Sequence, residues 1–178
     1  MANQYHLSLL REGSTSWNEW RGQSPEIHPD LTGARLSGID LKGANLSETN
    51  LTQAILHEAC LQGALFWCAT LKDCDLHGAD LSQAHFYQAD LRQANLSECN
   101  LDQANFREVL LNGTNLANVD LSSVKGLETV RHEGRSYLDI HTLYRSQGQI
   151  PEEFLRGIGA PEHFILYTST MPKAPIQY

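Results

Sequence analysis

Two histidines, His57 and His77, stand 20 residues apart, with Glu58 beside the first and Asp75 two places before the second. Two imidazoles and a carboxylate form a common ligand set for a divalent cation. A working metal site also needs groups that orient its ligands, and the neighbouring residues supply none. The expectation is therefore no metal, with His57 and His77 the pair that would hold one. The four cysteines, at 60, 68, 74 and 99, lack CxxC spacing and read as free thiols. A nucleophile with its base, carboxylates paired across a cleft, and a glycine-rich phosphate loop are all missing from the pattern. The chain reads as no enzyme and as needing no cofactor.

For His57 and His77 to face each other, the chain must return on itself every 20 residues, and a second pattern says how. From Leu31 to Leu121 every fifth residue is Leu or Phe, nineteen positions in all, sixteen Leu and three Phe. Two residues before each stands a small or modest apolar residue, Ala in eleven cases. Five residues advance an α-helix by about 500°, so the leucines would wind around its surface. In a continuous strand an odd spacing throws alternate leucines onto opposite faces. A chain that turns a corner once per unit returns every Leu to one interior, with Gly, Asn and Asp at the bends.

The repeat resembles the pentapeptide repeat family, whose signature A(D/N)LXX recurs at 44–46, 79–81, 89–91 and 94–96. The resemblance spans roughly 29–126 and implies an all-β solenoid, a right-handed quadrilateral β-helix with four units per coil. Phe66, Phe86 and Phe106 recur at 20 residues, as rings stacked along one wall above Leu46 would. Leu81, Cys74 and Cys99 fall in the inward register with them, whereas Cys60 and Cys68 point out. Nineteen units make nearly five coils, about 25 Å tall at the ~4.8 Å ladder spacing. The filled interior leaves no room for a substrate.

A stack of coils exposes an apolar edge at each end and needs caps. Residues 1–28 read as an N-terminal helical cap in which Leu7, Leu10, Trp17 and Trp20 cover the first coil and Ser16 with Glu19 forms a capping box. Residues 29–126 form the β-helix, and 127–178 an irregular connection followed by a helical cap. Asp139, Pro151 and Pro161 mark its helix starts. The stretch from Ser136 to Tyr167 is similar to a helical element that follows pentapeptide blocks in larger cyanobacterial proteins, sometimes ahead of a TIR signalling domain.

The formal net charge is −8, and residues 30–125 hold twelve acids against six bases, which argues against direct nucleic acid binding. With no apolar run of membrane-spanning length and no secretory leader pattern in the first residues, the expectation is a cytoplasmic chain without membrane contact. One wall departs from the polar exterior: Leu65, Trp67, His85, Tyr87 and Arg107 point outward there. A terminal cap folds over this cluster, or it meets another protein, a homodimer mate included, or it is simply exposed to solvent. The leading reading is a non-enzymatic scaffold or adaptor that binds an unidentified protein partner. The resemblance also implies an alternative, since some pentapeptide repeat proteins imitate duplex DNA and bind DNA gyrase. The scattered acids Asp40, Asp80 and Asp120, interrupted by Cys60 and Asn100, make a poor match to a continuous acidic stripe.

Overall fold

A computed structural model describes residues 1–170 of the chain. All nineteen fifth-position residues from Leu31 to Leu121 are buried, and so is the small residue two before each, except Ile39, which is partly buried. After each Leu or Phe the chain takes one step and then enters the left-handed region, with φ between +54° and +67° from Gly33 to Asn118. The next amide closes back on the Leu carbonyl, as in Ala34 N–H to Leu31 O (3.0 Å) and Ala84 N–H to Leu81 O (3.0 Å). A positive φ at the third residue of a four-residue turn is the type II geometry. Glycine fills that corner at 33, 38, 43, 63, 78 and 113, but Gln, Glu, Asp, Asn and Cys68 occupy the others. Each non-glycine corner costs about 1 kcal/mol, and the bonds between coils offset it.

Those bonds have a strict period. Parallel bridges join residues 20 apart from Asp30↔Asn50 to Asn105↔Lys125. Most of the inward Leu amides donate to the coil above, Leu31 to Asn50 O (2.8 Å) and Leu51 to Thr70 O (2.7 Å) among them. Between two corners each wall has room for one ladder residue, so the sheet is a series of single bridges and extended strands are hardly present. The residue before the Leu is Asp or Asn at twelve positions, and each of the twelve accepts the amide two residues on, as Asp80 Oδ1 does from Ser82 (3.1 Å). Some also bond between coils: Asn115 donates to Asn95 and Asn95 to Asp75, both at 3.1 Å. The polar residue of the repeat is thus a structural part of the wall.

In the core, Phe66 and Phe86 stack in parallel at 4.8 Å, whereas Phe86 and Phe106 meet edge to face at 5.2 Å. The expected uniform stack therefore breaks at its last ring. Gly126 stands 20 residues after Phe106, so no fourth ring continues the column, and Leu127 beside it is buried.

The spacing predicts an irregular connection after 126, and here the structure differs. The ladder runs on through β1 (Leu110–Leu111) with β2 (Arg131–His132) and through Asn115↔Tyr137, so the offset grows from 20 to 21 and then 22 residues. A 3₁₀ turn at Leu127–Thr129 takes up the first extra residue. Arg92 fastens this longer coil to the regular ones: its guanidinium forks onto Asp90 (2.9 and 2.7 Å) and reaches Glu133 (2.6 Å), and the two carboxylates raise its pKa further above the ordinary arginine value.

Side chains close both ends. The N-terminal pair is α1 (Gln4–Arg11), capped by Asn3, and α2 (Ser14–Gln23). The expected capping box at Ser16 and Glu19 is absent because α2 already starts at Ser14 behind Gly13, whose φ of +107° turns the chain. His6 Nδ1 accepts the Asp30 amide (3.1 Å), and Trp17 Nε1 donates to Asn45 O (2.8 Å). Asn18 bonds both Gly43 O and the Asn45 amide, and Arg21 reaches Ser47 O. The open edge of the first coil is covered group by group.

At the other end lie α3 (Ile140–Arg145), capped by Asp139, then α4 (Glu152–Gly157) and α5 (Glu162–Ser169). Thr142 Oγ1 donates to Leu116 O (2.8 Å) and accepts from the Val119 amide (3.2 Å), while Ser146 Oγ accepts from Leu121 N–H (3.0 Å). Pro151 and Pro161 sit at the residue before each helix, one place earlier than the sequence reading puts them. The end of the 127–178 block, from 171 on, lies outside the described residues.

Candidate functional site

The 20-residue offset sorts the exterior into four walls, each with two columns of side chains, one just before and one just after the inward Leu. The wall outside the phenylalanine column carries Asn45, Leu65, His85, Asn105 and Lys125 in one column and Ser47, Trp67, Tyr87 and Arg107 in the other. Leu65 and His85 are bridge partners, as are His85 and Asn105. Trp67 is 48% exposed; His85, Arg107 and Lys125 are exposed, and Leu65 and Tyr87 half-buried. Among the described residues the caps frame this wall without covering it. From below, α2 bonds only its first rung, at Asn45 and Ser47, and from above Lys125 bridges Asn105 before the chain turns at Gly126. Among the described residues no terminal element covers the cluster, and Trp67, His85 and Arg107 are exposed.

The charge of the wall is distinctive. No carboxylate stands in either column. Arg107 meets Glu108 on the adjoining corner at 3.7 Å, and Glu108 also accepts from Gln88 Nε2 (2.8 Å). Among the described residues Lys125 pairs with no carboxylate. The preceding wall is mainly acidic, with Asp40, Asp80 and Asp120 in one column and Asp102 in the other, where Lys42 is its base. A shallow open groove of about 260 Å³ runs over the top of that acidic wall, lined by Glu98, Asp102, Asp120 and Arg145 among others.

The histidine pair does not converge on one point. His57 Nδ1 lies 3.8 Å from Asp75 Oδ2, whereas His77 Nδ1 bonds Ser97 Oγ at 3.0 Å on the next coil. Among the described residues no cluster of three or more His, Cys, Asp or Glu side chains is placed to hold a metal ion. All four cysteines are free. Cys74 and Cys99 are buried, and burial pushes both thiols up, Cys99 to about 12. Cys99 also donates to Leu76 O. Cys68 is exposed on a left-handed corner and Cys60 is half-buried.

Sequence reasoning overlooks a second apolar surface at the C-terminal end. Tyr137, 65% exposed, pairs with Asn115, and α3 displays Ile140 and Tyr144 one turn apart, both exposed. The signal for it is the i, i+4 spacing of Ile140 and Tyr144 on α3. On α5, Leu166 and Tyr167 are exposed as well.

A family model of pentapeptide repeats, in 8 copies, matches residues 30–67, 69–107 and 89–125. The chain is a pentapeptide repeat protein. Its fold is accordingly the right-handed quadrilateral β-helix of that family, with helical caps. Among solved structures it is similar to HetL, a pentapeptide repeat protein involved in heterocyst differentiation regulation from the cyanobacterium Nostoc sp. strain PCC 7120. Identity there is 32% and the TM-score 0.54, over 62% of this chain and 48% of HetL, so the match spans about half of that protein. A pentapeptide repeat protein from the Arabidopsis thaliana thylakoid lumen matches at 34% identity and TM-score 0.46, over 53% of this chain and 69% of its own. Another, from Nostoc PCC 7120, matches at 28% identity and TM-score 0.48, over 64% and 95%. No curated protein matches the chain. Among the described residues no helix is long and apolar enough to cross a membrane.

Proposed function

We propose that this pentapeptide repeat protein is a non-enzymatic scaffold whose open aromatic wall binds another protein. The observation that carries the reading is Trp67, half exposed on a stiff column, with Tyr87 and Arg107 stacked above it in the same column. Trp, Tyr and Arg are the residues that most often dominate binding energy. A wall fixed by a backbone bond at every coil loses little freedom when it binds, which lowers the ordering cost. Four free thiols, two of them in the core, suit a reducing compartment such as the cytoplasm.

The DNA-mimic reading, with gyrase as partner, asks for an unbroken acidic stripe. Cys60 and Asn100 interrupt the acidic wall, and Asp40, Asp80 and Asp120 each commit an oxygen to the next turn. The scaffold reading is therefore preferred.

The test is affinity capture from native lysate with the wild type and a Trp67→Ala, Tyr87→Ala variant of matched thermal stability, read by mass spectrometry. A partner held by the first and lost by the second supports the wall. Equal capture by both rejects it. Capture of gyrase that fades steeply with salt would favour the mimic.

A further inference from the structure

The proposed wall is not uniform along the column, and its gradient identifies the chemistry of what it fits. Above the polar first rung at Asn45 and Ser47, which α2 bonds, the second rung is apolar, Leu65 beside Trp67, and the middle rung pairs His85 with Tyr87. The upper rungs hold the cations Arg107 and Lys125, with only the corner Glu108 near Arg107. Elsewhere on residues 30–125, twelve acids face four bases once these two are set aside from the six. A cationic, aromatic strip on an otherwise acidic column attracts an acidic segment and repels a basic one, while the surrounding acids repel that acidic segment from the other walls and so confine it to the strip.

We infer that the wall takes an acidic segment of another protein, one that places an apolar side chain at Leu65 and Trp67 and a carboxylate at Arg107 and Lys125. This rests on the proposed role of the wall in protein binding and adds the character of the partner. The geometry also sets a spacing. Trp67 and Arg107 are two coils apart, about 10 Å at the ~4.8 Å ladder repeat. An extended peptide covers that distance in about three residues at ~3.3 Å each. The segment therefore carries its carboxylate about three positions from its aromatic or aliphatic anchor. Arginine forks onto a carboxylate with two parallel bonds, and Lys125 adds a point charge beside it.

The experiment is selection of a phage-displayed dodecamer library on the immobilised full chain, followed by titration of the leading peptide, synthesised with a fluorescein label. The inference expects an enriched set rich in Asp and Glu, with an apolar anchor about three places from an acid. It also expects affinity to fall at least roughly tenfold in Trp67→Ala and in Arg107→Glu, Lys125→Glu, the second loss shrinking as salt is raised. Each variant is first matched to the wild type in thermal midpoint. Neutral or basic peptides that lose binding in Trp67→Ala, but not in the charge-reversed variant, overturn the acidic partner and leave the wall as a binding surface. Peptides indifferent to both variants, or no enrichment, overturn both. Self-association of the free chain at low salt, abolished by the charge reversal, overturns it in favour of a second copy whose acidic wall meets this one.

Discussion

Replacing Phe86 with alanine separates the interior register from the exposed wall more sharply than any other single change. The ring is fully buried between two others, 4.8 Å from Phe66 and 5.2 Å from Phe106. Both distances lie where aromatic pairs contribute about 0.5–1.5 kcal/mol each beyond area burial. Truncating a buried Phe to Ala costs about 3–5 kcal/mol by transfer and cavity together. The backbone is held to both neighbouring coils, by Phe86 N–H to Asn105 O (2.8 Å) and Phe66 N–H to His85 O (2.7 Å), so the site cannot collapse to fill the void. We expect the upper half of that range for Phe86→Ala. Phe86→Leu restores the commonest residue of the repeat and loses mainly the two ring pairs, about 1–3 kcal/mol. Trp67→Ala, next along the chain from Phe66 but facing outward, should shift stability by less than about 1 kcal/mol. Urea unfolding followed by far-ultraviolet circular dichroism reads all three. A Trp67→Ala loss as large as that of Phe86→Ala, or a Phe86→Ala loss below about 1 kcal/mol, would refute the assignment of inward and outward faces.

Mid-column Leu81→Ala, also fully buried, should cost about 2–5 kcal/mol in the same assay. Thr142→Val keeps the shape of the side chain but strips the bonds to Leu116 O and the Val119 amide. Unfolding should become easier by about 1–3 kcal/mol, with amide exchange rising first at Val119. Burial lowers the pKa of both His6 and His132. Both ring nitrogens of His132 are buried without a hydrogen bond, and its ring lies edge-on to Phe154 of α4 at 5.2 Å. The unfolded chain takes up these protons near pH 6.5, before the folded one does. The stabilisation is therefore complete above about pH 6.5 and is lost as pH falls through the lowered folded values. Thermal midpoints measured from pH 8 down to 5 should drop, and His6→Gln with His132→Leu should flatten that drop. Thiol labelling of the native chain should find Cys68 fastest and leave Cys74 and Cys99 unmodified until unfolding.

The column was legible because a period of five admits one solution, and every coil repeats the evidence. Leu31 and Leu121 obey the same rule although they stand 90 positions apart. Its corners were half legible. Glycine at 33, 38 and 43 advertises a left-handed residue, but Gln83, Gln93 and Glu98 hold the same conformation with no such mark. The ladder imposes it on them. The ends were the least legible part. Their closure depends on bonds such as Thr142 to Leu116 and His6 to Asp30, between residues more than 20 apart in sequence with no local pattern to join them. The continuation of the ladder through Arg131 and Tyr137 was hidden for a related reason: backbone groups carry it, and the side chains there no longer keep the period. For the histidines, the column was right and the convergence was not, since Asp75 and Ser97 each offer one of them a nearer partner.

The same bookkeeping of turns bears on where function lies. Twelve of the nineteen ladder positions keep an Asp or Asn whose side chain accepts the amide two residues on, a bond of about 0.5–1.5 kcal/mol. Four successive positions, Ile55, Cys60, Leu65 and Thr70, have neither Asp nor Asn, so one whole coil forgoes that bond. On three of its walls the residue after the inward Leu stays polar: His57, Gln62 and Lys72. On the fourth, Leu65 is followed by Trp67, and one coil higher His85 forgoes the bond again and is followed by Tyr87. Closing the corner requires neither large ring, because it also closes around Ser47 in the same column, with Thr49 N–H to Leu46 O at 3.3 Å. The wall of Arg35 and Ile55 also lacks Asp and Asn on consecutive coils but is followed by Ser37 and His57, so the aromatic area at Trp67 and Tyr87 is what sets this wall apart; on the reading proposed here that area makes the contact, and the cations above it favour an acidic partner.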